Sequence, residues 1–202
     1  MKRGDAIVIY APMTDADISV PLHPRVRYDE ICDCKSVTVR KEKYLVWELL
    51  KRVVTEYVNL DFDNLQFTKT ENGQWICPEF CFSLSHSHGL LCVAVSDSPI
   101  GVDAELVRPI KDGLGERILT DSELHYKSAL SPDDANIYLL ECWVKKESIF
   151  KREGGKALMP RTIEVGDHKT VLRRVTLDRD EYLICVSCID TDKIEFKYME
   201  EI

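Results

Sequence analysis

Every apolar run in this 202-residue chain is short, and even the longest candidates, such as Leu90 to Val95, end quickly in polar turns. A membrane-spanning helix needs about 20 consecutive apolar residues, so the pattern excludes one and requires a fold of short elements. Two stretches carry a helical period. Between Val37 and Val58, Leu45, Leu49, Val53 and Tyr57 recur at near-helical spacing. A second helix is predicted from Ser131 to Lys151, ahead of the stop at Gly154-Gly155, and Thr120-Asp121-Ser122-Glu123 is a helix-start signal before it. Strand character is predicted for Ile7 to Tyr10, Phe80 to Ser85, Leu90 to Val95 and Ile100 to Leu106, the last two read as a hairpin across Ser96 to Pro99. After the second helix, Ile163 to Val165, Val171 to Leu177, Tyr182 to Ile189 and Ile194 to Tyr198 read as a closing meander. The class is α+β, in two mixed halves, 1–102 and 103–202.

At 45% hydrophobic the chain has ample material for a core, and its net charge of −8 argues against a general nucleic-acid binder. The first residues hold too few apolar side chains for a signal peptide, so the expected location is the cytoplasm, with no membrane partner. The eight cysteines then read as reduced, small apolar side chains. Cys32 and Cys34 form a CxC, and Cys185 and Cys188 form a CxxC inside a predicted strand. Strand residues three apart point to opposite faces, which argues against a shared metal there.

Three clusters carry chemistry. Asp103 and Glu105 lie two apart at the end of an apolar strand and project on one side. They read either as a solvated acidic strand end or as a divalent-cation clamp, and hard oxygen ligands suit Mg²⁺, with Mn²⁺ accepted by similar sites. On the second helix Trp143, Glu147 and Lys151 share a face at four-residue steps. That pattern is either a helix-stabilising ion pair or a carboxylate and a cation set for phosphoryl-type transfer. Ser85 and His86 sit in Phe82 to His88, at a strand end, as short donors for a phosphate. A zinc pair of His86 and His88 finds no third ligand at a recognisable spacing.

SLSHS, GVDAE and WVKKESIFKREGGKAL, in this order and spacing, resemble the 4′-phosphopantetheinyl transferases of the Sfp-like type. That family has a serine-histidine segment, a G-[IV]-D-x-E segment and a W-x-x-K-E-[SA]-x-x-K segment. The resemblance implies a pseudo-twofold pair of α+β halves with coenzyme A bound between them. It implies that Asp103, Glu105 and Glu147 hold Mg²⁺ against the pyrophosphate and that Lys151 contacts the same group. His86, with Ser85, is implied at the nucleotide end, near its 3′-phosphate, and Lys43 near that phosphate. The chain departs from the family where Gly-Lys-Pro often stands, because here Gly73 is followed by Gln74 and Trp75.

The implied reaction is attack by a serine of an apo acyl carrier protein, or of a peptidyl or polyketide carrier domain, on the β-phosphate of coenzyme A. Adenosine 3′,5′-bisphosphate leaves; Glu147 serves as base and Lys151 stabilises the leaving phosphate. From Trp143 to Lys156 five basic and two acidic side chains are expected to steer an acidic carrier, beside a Val107 to Gly115 loop. The competing readings are a non-catalytic coenzyme A-binding protein and a metal-dependent phosphohydrolase. Two complete halves in one chain point to a monomer.

Overall fold

The computed structural model describes residues 4–15, 17–111, 113–191 and 193–200. Its order is β1 (Asp5–Pro12), α1 (Arg25–Cys32), α2 (Val37–Val53), β2 (Thr68–Lys69), β3 (Trp75–Ile76), β4 (Cys81–Ser87), β5 (Leu90–Ser96) and β6 (Ile100–Leu106). There follow α3 (Gly115–Ile118), α4 (Asp121–Ser128), α5 (Pro132–Glu153), β7 (Thr170–Leu177), β8 (Asp180–Cys188) and β9 (Lys193–Tyr198).

Two sheets pack face to face between two long helices. The first runs β4-β5-β1-β9 and the second β6-β8-β7. Alternation along β1 explains the layering. Ile7, Ile9 and Ala11 point into a core built with Trp47, Leu49 and Leu50 of α2, whereas Ala6 and Val8 face Val102, Ala104, Ile184 and Val186 of the other sheet. A strand buried on both faces reads as a continuous apolar run, which is why β1, β5 and β8 show so little alternation. On the far side, Leu140 and Val144 of α5 cover Leu183 and Cys185 of β8.

The connectivity repeats. In β1–α2–β4–β5 the last strand lies between the other two, and the same holds in β6–α5–β7–β8. The expected boundary between 102 and 103 falls inside β6, and β9 returns to the first sheet, parallel to β1.

Local chemistry accounts for the helix ends. Ser36 caps α2 by accepting from Val39 N, and Ser131 caps α5 by accepting from Asp134 N ahead of Pro132. Gly154 ends α5 in the left-handed region at φ 65°, its N–H donating to Phe150 O. Thr120 and Glu123 form a reciprocal capping box at α4.

Three expectations are corrected. The β5 and β6 strands do not form a hairpin, since Ser96 to Pro99 carries the chain from one sheet to the other; β5 pairs instead with β4, through the tight turn at His88 (φ 48°) and Gly89 (φ 91°). Residues 163–165 form no strand and lie among short 3₁₀ turns. The meander stops at β8, because β9 pairs with β1. Helix α1, which begins just after Pro24, is not among the predicted helices and has no apolar stripe.

Candidate functional site

Two sheet edges meet at the site. β4 borders the first sheet and β6 the second, and no backbone ladder joins them. Serine hydroxyls join them instead: Val102 N donates to Ser83 Oγ (3.0 Å) and Ala104 N to Ser85 Oγ (3.1 Å). Edge amides on β6 that β8 does not use are thereby satisfied inside the protein. The same alternation turns Ser83, Ser85 and Ser87 towards β6 while Phe82 and Leu84 pack on the α2 side.

The opposite parity of β6 faces α5. A Cβ at Gly101 would lie 1.9 Å from Ser148 O, so helix and strand touch backbone to backbone. One and two strand repeats on, Asp103 and Glu105 meet the helix side chains. Lys151 Nζ donates to Asp103 Oδ1 (2.7 Å) and to Ser85 Oγ (3.3 Å), and Ser85 Oγ donates to the same Oδ1 (2.9 Å). Glu105 accepts from Ser87 Oγ at Oε2 (3.0 Å) and from Trp143 Nε1 at Oε1 (3.2 Å). Trp143, Glu147 and Lys151 therefore turn one face of α5 to the acidic strand.

Burial sets the electrostatics. It raises the Glu147 carboxyl to about 7, with the charges of Asp103 and Glu105 adding to the rise and Lys151 opposing it. Glu105 is also raised by burial and by Asp103, against the pull of Ser87 and Trp143. Asp103 Oδ2 is buried without a hydrogen-bond partner.

Among the described residues no three His, Cys, Asp or Glu are gathered to hold a metal ion as they stand. The donor set nevertheless fits a hard cation. An orphaned carboxylate oxygen and two neighbouring carboxyls that resist ionisation are what a divalent ion would relieve.

Ser85 and His86 are separated by the strand. Ser85 belongs with Asp103, whereas His86 Nδ1 faces Glu42 Oε2 of α2 at 3.2 Å, and burial lowers its pKa against the pull of that carboxylate. Lys43 stands on the α2 side too, its Nζ 3.4 Å from Cys34 Sγ, and its charge, with those of Lys151 and Arg27, is felt at His86. Sequence reasoning missed Glu42, Ser83 and Ser87, whose only signal was their strand or helix parity. It also missed Asn72 and Gln74, which donate to Gly154 O and Lys151 O. A cleft of about 310 Å³ opens beside Lys151, lined by Gln74, Trp75, Phe82, Phe150 and Gly155 among others.

The basic face expected from Trp143 to Lys156 is smaller than its sequence. Lys146 is fully buried, bonded to Glu123 Oε2 (2.6 Å), Ile118 O (3.0 Å) and Pro160 O (2.9 Å). Arg152 donates to Ser187 Oγ, and Lys151 is engaged by Asp103. Three acceptors satisfy the three N–H bonds of Lys146 and tie α5 to the start of α4. Lys146→Met leaves Glu123 buried without its cation, and we expect about 3 kcal/mol of lost stability in urea unfolding. An unchanged midpoint would contradict this.

The fold and site thus define an α+β protein with a buried carboxylate–lysine cluster suited to a phosphate group and a hard cation. Residues 99–195, just under half of the chain, match the model of the 4′-phosphopantetheinyl transferase superfamily, and the curated relatives that the chain is similar to are 4′-phosphopantetheinyl transferases. It is 31% identical over 115 residues to the 4′-phosphopantetheinyl transferase ffp of Bacillus subtilis, covering 55% of this chain and 51% of that protein. Against the 4′-phosphopantetheinyl transferase Sfp of Bacillus subtilis (strain 168) it is 29% identical over 115 residues, with the same coverage. A further 4′-phosphopantetheinyl transferase of Bacillus subtilis is 28% identical over 175 residues, 76% of this chain and 78% of that protein. The chain spans about half the length of the first two relatives.

Proposed function

We propose that this chain transfers the 4′-phosphopantetheine of coenzyme A to a serine of an apo acyl, peptidyl or polyketide carrier, releasing adenosine 3′,5′-bisphosphate. The observation that carries the reading is the Lys151 ammonium bonded to Asp103 beside two carboxyls that burial makes reluctant to ionise. Asp103, Glu105 and Glu147 would hold Mg²⁺, or Mn²⁺, which when bound neutralises pyrophosphate charge. Lys151 places a cation where charge develops on the leaving phosphate, and Glu147 accepts the serine proton, directly or through a water. His86 and Lys43 take the nucleotide end, near the 3′-phosphate. Ser85 orients Asp103 and Lys151.

We read the two halves, 1–102 and 103–202, as a pseudo-twofold pair, a reading that the repeated strand order supports. The protein acts as a cytoplasmic monomer, and no helix among the described residues is long and apolar enough to cross a membrane. The carrier approaches beside Glu105, where Ile110, Leu114 and Trp143 form an apolar groove rimmed by Arg108 and Lys111.

Intact-mass measurement of an apo acyl carrier protein and an apo peptidyl carrier domain tests the reading. With coenzyme A and Mg²⁺ we expect a gain of one phosphopantetheine on at least one carrier, lost when EDTA removes the metal. Cleavage of coenzyme A with no gain on either carrier would favour a phosphohydrolase. Binding of coenzyme A with neither cleavage nor gain would favour a non-catalytic protein.

A further inference from the structure

An α-helix leaves its last four carbonyls without intrahelical donors. At the end of α5 one of these is taken by Gly154 N, which donates to Phe150 O (3.1 Å). One more of them, and the carbonyl of the capping residue Gly154 just past the helix, are taken by side chains from the N-terminal half of the chain. Gln74 Nε2 donates to Lys151 O (3.0 Å), and Asn72 Nδ2 donates to Gly154 O (2.8 Å).

Both amides come from the turn joining β2 and β3, and that turn is internally held. Thr70 N donates to Gln74 O (2.8 Å), Gly73 N to Thr70 O (2.9 Å) and Gln74 N to Thr70 Oγ1 (3.1 Å), with Gly73 at φ 87°. The Gln74 amide has one workable orientation, because only its NH₂ group can pair with a carbonyl. Its Oε1 then lies 2.6 Å from where a Cβ on Gly154 would stand. Gly154 is favoured by its left-handed φ, and a side chain there would push the Gln74 amide from its place.

The residue whose carbonyl Gln74 holds is also the residue whose ammonium joins Asp103 to Ser85. Resting on the transferase reading, we propose that Asn72 and Gln74 are positioning residues for the transfer. They form a two-point amide clamp from the N-terminal half that caps α5 and fixes where Lys151 meets the carboxylates. Neither touches the reacting atoms. The clamp acts through the helix end, and it spans the cleft that Gln74, Trp75, Phe150 and Gly155 line.

Gln74→Glu and Asn72→Asp remove each donor while keeping its shape, and an Asn72→Ala, Gln74→Ala double variant removes both without adding charge. In each, amide hydrogen exchange of residues 151–154 is expected to rise about tenfold, the size of one lost hydrogen bond. With carrier and coenzyme A, kcat should fall about tenfold while KM for coenzyme A moves less than about threefold, as expected when only reacting geometry is lost. Unchanged exchange and kcat would overturn the proposal. So would a raised KM with kcat intact, which would make the turn a binding wall. If the unaltered protein modifies no carrier, the transferase reading fails by itself. The exchange measurement still decides the clamp in that case, faster exchange upholding it and unchanged exchange removing it.

Discussion

Glu147→Gln is expected to lower kcat by at least about a thousandfold while leaving a folded protein that is more stable than the original at pH 8. Glutamine keeps the shape but can neither accept the serine proton nor contribute charge to a cation site. The stability gain follows from the raised carboxyl. In the folded protein burial beside Asp103 and Glu105 holds Glu147 near 7, against an ordinary value of 4.5. The folded state therefore keeps its proton through a window in which the unfolded chain has lost it. Stability associated with this group is fully present below pH 4.5 and is lost as pH rises through about 7. Discounted for partial exposure, the penalty at pH 8 is about 2 kcal/mol, and removing it should raise Tm by about 5 °C in a chain of this size. At pH 4 the two proteins should melt together. Near-normal carrier modification by the variant would end the assignment of Glu147 as base, and a variant less stable at pH 8 would contradict the electrostatic account.

The sequence revealed the parts of this site that obey a local period and concealed the parts that depend on which sheet a strand joins. Two-residue alternation put Asp103 and Glu105 on one side of β6, and the helical period put Trp143, Glu147 and Lys151 on one face of α5; the structure brings those faces together. The partner of β6 was misjudged because an apolar strand buried on both faces says nothing of its neighbour in the sheet. Ser96 to Pro99 resembles a hairpin turn whether or not the strands it joins are paired. The serines of β4 became informative only when their hydroxyls were found on the amides of β6. Glu42 beside His86 and the amides of Asn72 and Gln74 act over 44 to 82 residues, and no spacing rule reaches that far. Helix α1 carries no apolar stripe to read. It is held by Ile31 and by a buried Arg27, which lies over Trp47 at 5.0 Å.

Gly101→Ala is expected to cost more than about 4 kcal/mol and to leave little soluble protein, although it adds a single methyl group. That methyl carbon would lie 1.9 Å from Ser148 O and 2.6 Å from Arg152 N. Both are backbone atoms of α5, so no side chain can rotate away, and the helix must retreat by about 1 Å from β6. Its retreat would carry Trp143, Glu147 and Lys151 away from Glu105 and Asp103, and a displacement of that size costs about a hundredfold in rate. Any folded remainder should therefore modify carriers poorly. Gly166→Ala is the matched control, since a Cβ there meets no heavy atom within 4 Å, and its unfolding midpoint should shift by less than about 0.5 kcal/mol. Urea unfolding of the two variants compares the positions directly. A Gly101→Ala protein with the original midpoint would mean that α5 and β6 are not in backbone contact, and the bond between Lys151 and Asp103 would lose its structural basis. A large loss confined to Gly101 would tie folding and chemistry to one feature, the absence of a side chain at the second residue of β6. That absence lets the helix lie close enough for its cation and its carboxylate to reach the acidic strand.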